Sequence, residues 1–331
     1  MPTHDHAVVL RQYGDADQLR LESVIVPSPG PGQVRIRHTA IGVNFHDIYV
    51  RSGAYKTLSL PGIPGVDAAA VVESVGPGVT GLAQGTRVFY ISPAYGAYSS
   101  ARIIEAAQLH VLPDSVDDKV AAATLLRGMT GVMLLDKHHP VRSGEVCLVQ
   151  AASGGLGRIL CQLARHRGCT VIGIVRSEEK RATALSYGCH QVFLLGQDNL
   201  LESIRSLTGG EGVDVVFDSV GRDTFSLSLA ALAVGGRLVS AGQSSGPVDA
   251  IAPAALAQKS NSLWRPILFH YLAKAVDRAE MLQKAVHLLE AGAITSEIAA
   301  VLPLQQVADA HRLLEERQRR GSIVLVPEVV L

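Results

Sequence analysis

The chain has 331 residues, of which 47% are hydrophobic and 18% are charged, and its 30 basic residues balance 30 acidic ones. This length exceeds that of a usual single domain and the hydrophobic content supports a large core, so we expect two globular domains rather than a disordered chain. Balanced charge argues against a nucleic-acid partner, because phosphate binding requires clustered excess Lys and Arg.

The first residues and the cysteines indicate the compartment. Residues 1–10 lack the basic and apolar regions of a signal peptide, and no apolar run approaches the length that spans a bilayer. The cysteines form no C-x-x-C pair, which favours reduced thiols over a disulfide framework or a structural zinc site. We therefore expect a cytoplasmic protein without a membrane partner. The four cysteines are Cys147, Cys161, Cys169 and Cys189.

The first hundred residues alternate short β-rich runs with Gly/Pro turns. Apolar residues occupy every second position over residues 33–38, and a further β-rich run covers residues 68–76. Short strands with turn signals at this spacing predict a small β-rich domain.

From about Val120 onward, helix-length segments alternate with β-branched runs. Continuous apolar strands separated by helices are typical of a parallel sheet that is covered on both faces. This part of the chain is therefore predicted to form a doubly wound α/β domain. The predicted strands cover residues 145–149, 170–175, 191–195, 213–217 and 236–240.

Helix and strand signals continue to the end of the chain. A helix is predicted over residues 155–167, with Gly168 as its C-terminal cap. Further helical structure is predicted after Trp264, including residues 279–290, and residues 322–327 are predicted to form a strand.

Residues 146–158 form a predicted strand that enters a glycine-rich turn and opens a helix. Glycines permit close approach of the backbone, and the helix N-terminus offers N–H groups to a pyrophosphate. The G-x-G-x-x-G spacing fits imperfectly because Leu160 stands where Gly or Ala is needed, whereas Ala151-x-x-Gly154-x-x-Gly157 fits better. Since strand, turn, helix and second strand are all present, a dinucleotide site is favoured over an ordinary turn.

The residues after the second strand of this unit indicate which dinucleotide binds. An NAD-preferring site has Asp or Glu there, whereas this chain has Val175 followed by Arg176. Arg176 and Lys180 can pair with the 2′-phosphate of NADPH. Glu178 or Glu179, if it faced inward, would argue against binding of that phosphate. We expect both glutamates to be exposed. The alternative is that Arg176 is an ordinary surface residue.

This turn, placed in mid-chain after a β-rich region, resembles the medium-chain dehydrogenase/reductase superfamily. Alcohol dehydrogenases of that superfamily bind zinc through a Cys in a G-[VI]-C motif and a His in a G-H-E motif. The matching positions hold Asn44 and Val66, which are not zinc ligands. His46, Asp47 and Asp67 form an alternative metal cluster, although a His beside an Asp in a turn is more often hydrogen-bonded locally. We expect no metal.

Residues 42–53 (GVNFHDIYVRSG) are similar to the zinc-free quinone oxidoreductases and the related zeta-crystallins. The resemblance implies a GroES-like β-rich catalytic domain over residues 1–122 and 266–331 and a Rossmann domain over residues 123–265. It also implies a homodimer formed by edge pairing of the nucleotide-domain sheets. Further matching segments are residues 95–99, 128–130, 218–224, 241–246 and 264–266.

The resemblance implies NADPH as the cofactor. Bacterial relatives often carry a Tyr over the adenosine, where this chain has Phe-Leu-Leu at residues 193–195, so part of that contact is expected to be missing. The nicotinamide and the substrate are expected to meet near Asn44, Tyr49 and Thr130. The alternative is that Asn44 and Tyr49 are ordinary interior residues that only form hydrogen bonds within the protein. The implied cofactor-binding residues are Ser153, Gly154, Gly155, Leu156, Gly157, Arg176, Ser177, Lys180, Asp218, Ser219, Val220, Gly242, Gln243, Ser244, Trp264, Arg265 and Arg317.

The expected chemistry follows from the missing metal. Without a Lewis acid nothing stabilises an alkoxide at neutral pH, so reduction of a conjugated acceptor is favoured over alcohol oxidation. Hydride addition to a quinone or an enone leaves an oxyanion or enolate, which the Asn44 amide, the Tyr49 hydroxyl or an ordered water would hold. Two alternatives stay open: an enone or enoyl-thioester reductase, and an NADPH-binding protein with a non-catalytic role.

Overall fold

The computed structural model describes residues 5–316 and 321–327, and the chain divides into two compact units. The first unit comprises residues 1–126 and 296–331, and the second comprises residues 127–295. The strands are β1 (Asp5–Leu10), β2 (Leu19–Val24), β3 (Gln33–Val43), β4 (Asp67–Val75), β5 (Arg87–Ile91), β6 (Ala101–Glu105), β7 (His110–Val111), β8 (Val146–Gln150), β9 (Thr170–Val175), β10 (Gln191–Leu194), β11 (Val213–Asp218), β12 (Leu232–Ser240), β13 (Ser262–Trp264), β14 (Ile298–Pro303) and β15 (Ser322–Val326). The α-helices are α1 (Phe45–Arg51), α2 (Asp118–Asp136), α3 (Gly155–His166), α4 (Glu178–Ser186), α5 (Leu200–Leu207), α6 (Phe225–Ala230), α7 (Ala254–Ala257), α8 (Leu268–Leu272), α9 (Ala275–Glu290) and α10 (Val307–Glu315).

The first unit is built on a seven-stranded sheet in the order β14-β15-β3-β4-β5-β7, with β6 also paired to β3. The paired strands run antiparallel except for β14 and β15, which are parallel. Val34 and Ile36 are fully buried, as the alternating pattern of residues 33–38 predicts. Strand β3 ends at Val43, so the candidate residue Asn44 lies at the end of a central strand.

The second unit contains a sheet of six parallel strands in the order β10-β9-β8-β11-β12-β13. Numbered from β8, this order is 3-2-1-4-5-6, which is that of the dinucleotide-binding Rossmann fold. The buried side chains of Leu148, Ile172 and Val216 lie in its core. The predicted doubly wound domain is therefore confirmed, and its five predicted strands are present, with β12 beginning earlier than expected, at Leu232.

The segment 266–295 belongs to the second unit, whereas the sequence-based division placed it in the first. Its contacts give the physical reason. Lys137, directly after α2, donates to Asp277 on α9 at 2.8 Å, and the side chain of Gln162 on α3 accepts from the backbone N–H of Thr295 at 2.8 Å. Helix α9 and the residues that follow it are therefore held by side chains on α3 and next to α2.

All four cysteines are free and buried. Over residues 5–316 and 321–327, no helix has the length and apolar character needed to cross a bilayer.

Candidate functional site

The glycine-rich turn connects β8 to α3 at the carboxyl edge of the parallel sheet. A Cβ atom at Gly157 would collide with the carbonyl oxygen of Ala151, so this close approach requires glycine. Gly154 is the N-cap of α3 and supplies no capping side chain. The first N–H groups of α3, including those of Gly155 and Leu156, therefore lie at a helix terminus that favours an anion.

Two further loops meet at the same edge, and they pack backbone against backbone. A Cβ atom at Gly242 would lie 2.7 Å from the carbonyl oxygen of Ser219, and the N–H of Ser244 donates to that same oxygen at 3.3 Å. A Cβ atom at Gly221 would lie 2.7 Å from the carbonyl oxygen of Gly246. The loops after β11 and β12 are thus in close contact. We call residues 219–221 and 242–246, which include Val220 and Gln243, the ledge.

The Asp218 carboxylate is engaged by its own loop and is only 1% exposed. Its Oδ1 accepts from the N–H groups of Val220 (2.8 Å) and Gly221 (3.0 Å). The hydroxyls of Thr224 and Ser228 donate to Oδ2 at 2.8 and 2.7 Å. These bonds fill most of the lone-pair sites of a carboxylate. We therefore interpret Asp218 as the residue that fixes the loop after β11.

Arg176 directly follows β9 and is paired with Asp223, which lies beyond β11. Its Nη2 is 2.6 Å from Asp223 Oδ2, and the two side chains are 43% and 42% exposed. Ser177 is the N-cap of α4, and Glu178 and Glu179 are both exposed, as the sequence predicts. The guanidinium thus lies directly after the second strand of the βαβ unit and is paired with one carboxylate.

The remaining candidates of the second unit lie near the ends of strands or on helix α2. Arg265 Nη1 donates to the carbonyl oxygen of Ser240, the last residue of β12, at 2.8 Å. The Trp264 ring centroid is 5.3 Å from that of His138, and both Trp264 and Arg265 line a cavity of about 340 Å³. Thr130 lies within α2. Arg317 lies outside the described residues.

In the first unit, Asn44 is the N-cap of α1 and is 4% exposed. Its Nδ2 donates to Asp67 Oδ1 at 2.7 Å, and its backbone N–H donates to Asp47 Oδ2 at 2.8 Å. The Asn44 side-chain oxygen is buried and has no hydrogen-bond partner among the described residues. A Cβ atom at Gly42 would lie 2.5 Å from Asp67 Oδ2, so glycine is needed for the carboxylate to lie here. Asp67 therefore fixes the orientation of the Asn44 amide.

Tyr49 lies one helical turn beyond Phe45 on α1, and its ring centroid is 4.9 Å from that of Tyr55. His46, on the same helix, is hydrogen-bonded and stacked on Tyr95, with its Nε2 at 3.2 Å from the hydroxyl oxygen. Burial lowers the pKa of His46 to about 4, so its imidazole is neutral at physiological pH. The partner of this hydrogen bond, Tyr95, is 49 positions away from His46 in the chain.

Comparison with known proteins identifies the family. The model of the alcohol dehydrogenase GroES-like domain matches residues 30–114, and that of the zinc-binding dehydrogenase matches residues 155–291. A 2-haloacrylate reductase of Burkholderia sp. is 42% identical over 329 residues, and quinone oxidoreductase 1 of Escherichia coli strain K12 is 36% identical over 323; each alignment covers 97% of this chain and 99% of the relative. The chain belongs to the quinone oxidoreductase family.

Solved structures of quinone oxidoreductases agree with this assignment. The Escherichia coli quinone oxidoreductase complexed with NADPH has a TM-score of 0.93 and 37% identity to this chain, covering 97% of this chain and 100% of that one. The predicted resemblance to quinone oxidoreductases and the predicted combination of a GroES-like and a Rossmann domain are therefore confirmed.

This quinone oxidoreductase family member matches the zinc-binding dehydrogenase model, but the residues at its zinc-ligand positions are not zinc ligands. Asn44 and the fully buried Val66 occupy the predicted ligand positions. No group of three or more His, Cys, Asp or Glu side chains is placed to hold a metal ion in the described ranges. The carboxylate of Asp67 binds the Asn44 amide instead.

Sequence reasoning about this quinone oxidoreductase family member missed the partner of Arg176. Asp223 is 47 residues from Arg176, and nothing in the local pattern connects them. A signal was present, because β9 and β11 flank the central strand β8, and the carboxyl ends of parallel strands lie at one edge. Polar residues just after those two strands are therefore candidates for contact.

Proposed function

We propose that this protein uses NADPH to reduce quinones or other conjugated carbonyl acceptors and that it does so without zinc. The observation that carries the proposal is the match along the whole chain to quinone oxidoreductases, one of which is solved with NADPH. The glycine turn, the ledge and Arg176 at one edge of the parallel sheet supply the groups that such a cofactor requires.

The cofactor-binding groups divide by the part of the dinucleotide that they serve. The turn 153–157 and the N-terminus of α3 bind the pyrophosphate, and Arg176 and Lys180 bind the 2′-phosphate. The ledge contributes its backbone, and Trp264 and Arg265 border the nicotinamide end. NADPH, when bound, supplies the hydride.

The acceptor is held by the first unit. Asp67 accepts one N–H of the Asn44 amide at 2.7 Å, which leaves the second N–H in a fixed direction. We assign that N–H and the Tyr49 hydroxyl to the acceptor oxygen, where negative charge develops. Donors that are already oriented stabilise developing charge without reorganisation, so no general acid with a shifted pKa is needed.

Reduction of an activated alkene is the second candidate. It is favoured by the 42% identity to a 2-haloacrylate reductase over nearly the whole of both chains. In both candidates a conjugated system receives a hydride, and they differ only in whether the acceptor is a quinone or an alkene activated by a carbonyl or carboxylate group.

We also infer a cytoplasmic homodimer. Strand β13 ends the six-stranded sheet, and its outer edge pairs with no strand among the described residues. Leu263, Ile267 and Val276, which lie on or soon after this strand, are 36%, 50% and 70% exposed. An open strand edge bordered by apolar side chains favours edge pairing with a second copy. Free, buried thiols are consistent with a reducing compartment.

A steady-state assay of NADPH oxidation tests the proposal. Acceptors are benzoquinones, naphthoquinones, 2-chloroacrylate, simple enones and an enoyl thioester, each compared at kcat/KM. Highest activity with quinones supports the first candidate, and highest activity with 2-chloroacrylate or enones supports the second. Tight NADPH binding without turnover of any acceptor would contradict both and support a non-catalytic role.

A further inference from the structure

Four polar residues lie in the interior of the first unit around helix α1. Asp47, Tyr98 and His311 are fully buried, and Arg51 is 4% exposed. Asp47 and Arg51 belong to α1, Tyr98 lies between β5 and β6, and His311 lies on α10. Burial of polar side chains is unfavourable unless they are hydrogen-bonded, so their bonds define the arrangement.

The direction of each hydrogen bond in this cluster follows from Arg51. Its Nη1 lies 3.4 Å from Nδ1 of His311, and since a guanidinium only donates, Nδ1 accepts and the imidazole proton is on Nε2. Nε2 donates to the Tyr98 hydroxyl at 2.9 Å, and that hydroxyl donates to Asp47 Oδ2 at 3.0 Å. Each residue therefore donates to the next: Arg51 to His311, His311 to Tyr98, and Tyr98 to Asp47.

These bonds hold both ends of α1. At the N-terminus, Asp47 Oδ2 also accepts the backbone N–H of Asn44 at 2.8 Å. At the C-terminus, Arg51 donates to the two carboxylate oxygens of Glu315 at 3.1 and 2.8 Å and to the carbonyl oxygen of Gly14 at 3.2 Å. His311 is connected to both ends, because it contacts Arg51 directly and Asp47 through Tyr98.

The cluster keeps one hydrogen-bond arrangement over the working pH range. Burial, and then the charge of Arg51, lower the pKa of His311 to about 3. Burial, and then the nearby charge of Asp47, raise the pKa of Tyr98 well above its usual value. Imidazole and phenol are thus both neutral at physiological pH, and neither changes its bonding partner by titration.

We propose that His311 is a positioning residue that sets the orientation of α1, and with it the side chains of Asn44 and Tyr49. This inference rests on the proposed function, which assigns those two side chains to the acceptor. Helix α1 has seven residues, and so short a helix depends on contacts outside it for its geometry. A misplacement of about 1 Å in a reacting group lowers turnover by on the order of 100-fold.

The test compares His311→Leu with His38→Leu. His38 is a matched control because it is a buried neutral histidine of the same unit, 3% exposed, with a pKa that burial lowers to about 3. Its ring nitrogens bond to the carbonyl oxygen of Ser99 at 2.6 Å and to the Tyr90 hydroxyl at 2.8 Å, and not to α1. His311→Gln is the conservative variant, because its amide nitrogen reaches about as far as Nε2 and donates to Tyr98.

Both Leu variants are expected to lose thermal stability to a similar degree. Only His311→Leu lowers kcat with the best acceptor, by about tenfold or more, while KM for NADPH changes less than about twofold because the glycine turn, Arg176 and Lys180 lie in the other unit. His311→Gln recovers a large part of kcat. Amide hydrogen exchange of residues 44–52, measured by mass spectrometry, is about fivefold or more faster in His311→Leu and unchanged in His38→Leu.

Equal loss of kcat in the two Leu variants, or unchanged exchange of residues 44–52 in His311→Leu, would overturn the positioning role. If His311→Leu does not fold, Tyr98→Phe replaces it in every measurement, since it removes only the hydroxyl between His311 and Asp47. If the wild-type protein reduces no acceptor, the proposed function fails, and hydrogen exchange still decides whether His311 holds α1.

Discussion

Replacing Arg176 with Ala is expected to raise KM for NADPH and to leave KM for NADH almost unchanged, because only the 2′-phosphate distinguishes the two cofactors. A charge-assisted hydrogen bond to phosphate contributes about 1.5–3 kcal/mol. In the structure Arg176 is already paired with Asp223 at 2.6 Å, and both side chains are more than two-fifths exposed. An ion pair so exposed is worth at most about 1 kcal/mol, which the phosphate must offset.

The net contribution of Arg176 is then about 1–2 kcal/mol, which corresponds to a rise in KM for NADPH of about 5- to 30-fold. Two such contacts, from Arg176 and Lys180, give roughly 3–5 kcal/mol before this offset. The pairing with Asp223 and the absence of a Tyr at residues 193–195 both reduce this free energy of binding. We therefore expect a preference for NADPH over NADH of about a hundredfold, at the lower end of what two contacts allow.

The assay is the initial rate with each cofactor at a saturating acceptor concentration. Arg205→Ala removes an exposed cation on α5 of the same unit and is the control for a general change in charge. Asp223→Asn should lower KM for NADPH by about two- to fivefold, and this gain should vanish in an Arg176→Ala background. Equal use of both cofactors by the wild-type protein, or a similar loss for both in Arg176→Ala, would show that Arg176 does not read the phosphate.

Three other predictions concern metal, substrate and pH. The purified protein should contain no stoichiometric zinc and keep its activity in chelator, because Asn44 and Val66 stand at ligand positions; one zinc per chain by elemental analysis, with activity lost on removal, contradicts this. It should not oxidise ethanol or benzyl alcohol with NADP at a rate comparable to acceptor reduction, since Asn44 and Val66 do not provide ligands for a Lewis acid that would stabilise an alkoxide, and robust oxidation in that assay would refute the assignment. Burial lowers the pKa of His38 and His311 to about 3 and that of His46 to about 4. The unfolded chain, with a His pKa of about 6.5, binds more protons in this window, so the free energy of unfolding should fall as pH decreases from about 6.5 towards 3. Urea unfolding at pH 7.5, 6 and 5 measures this, and His38→Leu should flatten the dependence; a flat wild-type profile argues against neutral buried histidines.

Local patterns in the sequence were sufficient for the eight predicted strands, the glycine turn and the order of the domains, because each depends on spacing within a few residues. The period-two pattern of residues 33–38 is reproduced in β3, and Gly168 adopts the left-handed conformation of a helix cap, with φ of 83°. The placement of residues 266–295 was not predictable in this way. It depends on contacts such as that between Lys137 and Asp277, which are 140 residues apart.

In the candidate site, too, features that depend on local sequence were predictable and contacts between distant residues were not. Asn44 was found from its motif position, whereas the role of Asp67 as its partner depends on two strands bringing together residues that are 23 positions apart. A buried carboxylate next to an amide leaves no periodic signal, and the same holds for His311 and Tyr98, which are 213 positions apart. The family resemblance identified the candidate site residues, whereas their hydrogen-bond partners could be identified only from the fold.

The bonds of Asp218 have a consequence for the thermodynamics of cofactor binding. They hold the loop at residues 218–221 through groups of the chain itself. Ordering a flexible backbone costs about 1–2 kcal/mol per residue in conformational entropy, and here that entropy is lost when the chain folds rather than when the dinucleotide arrives. If the dinucleotide binds here, as we propose, its affinity is not reduced by the ordering of this loop.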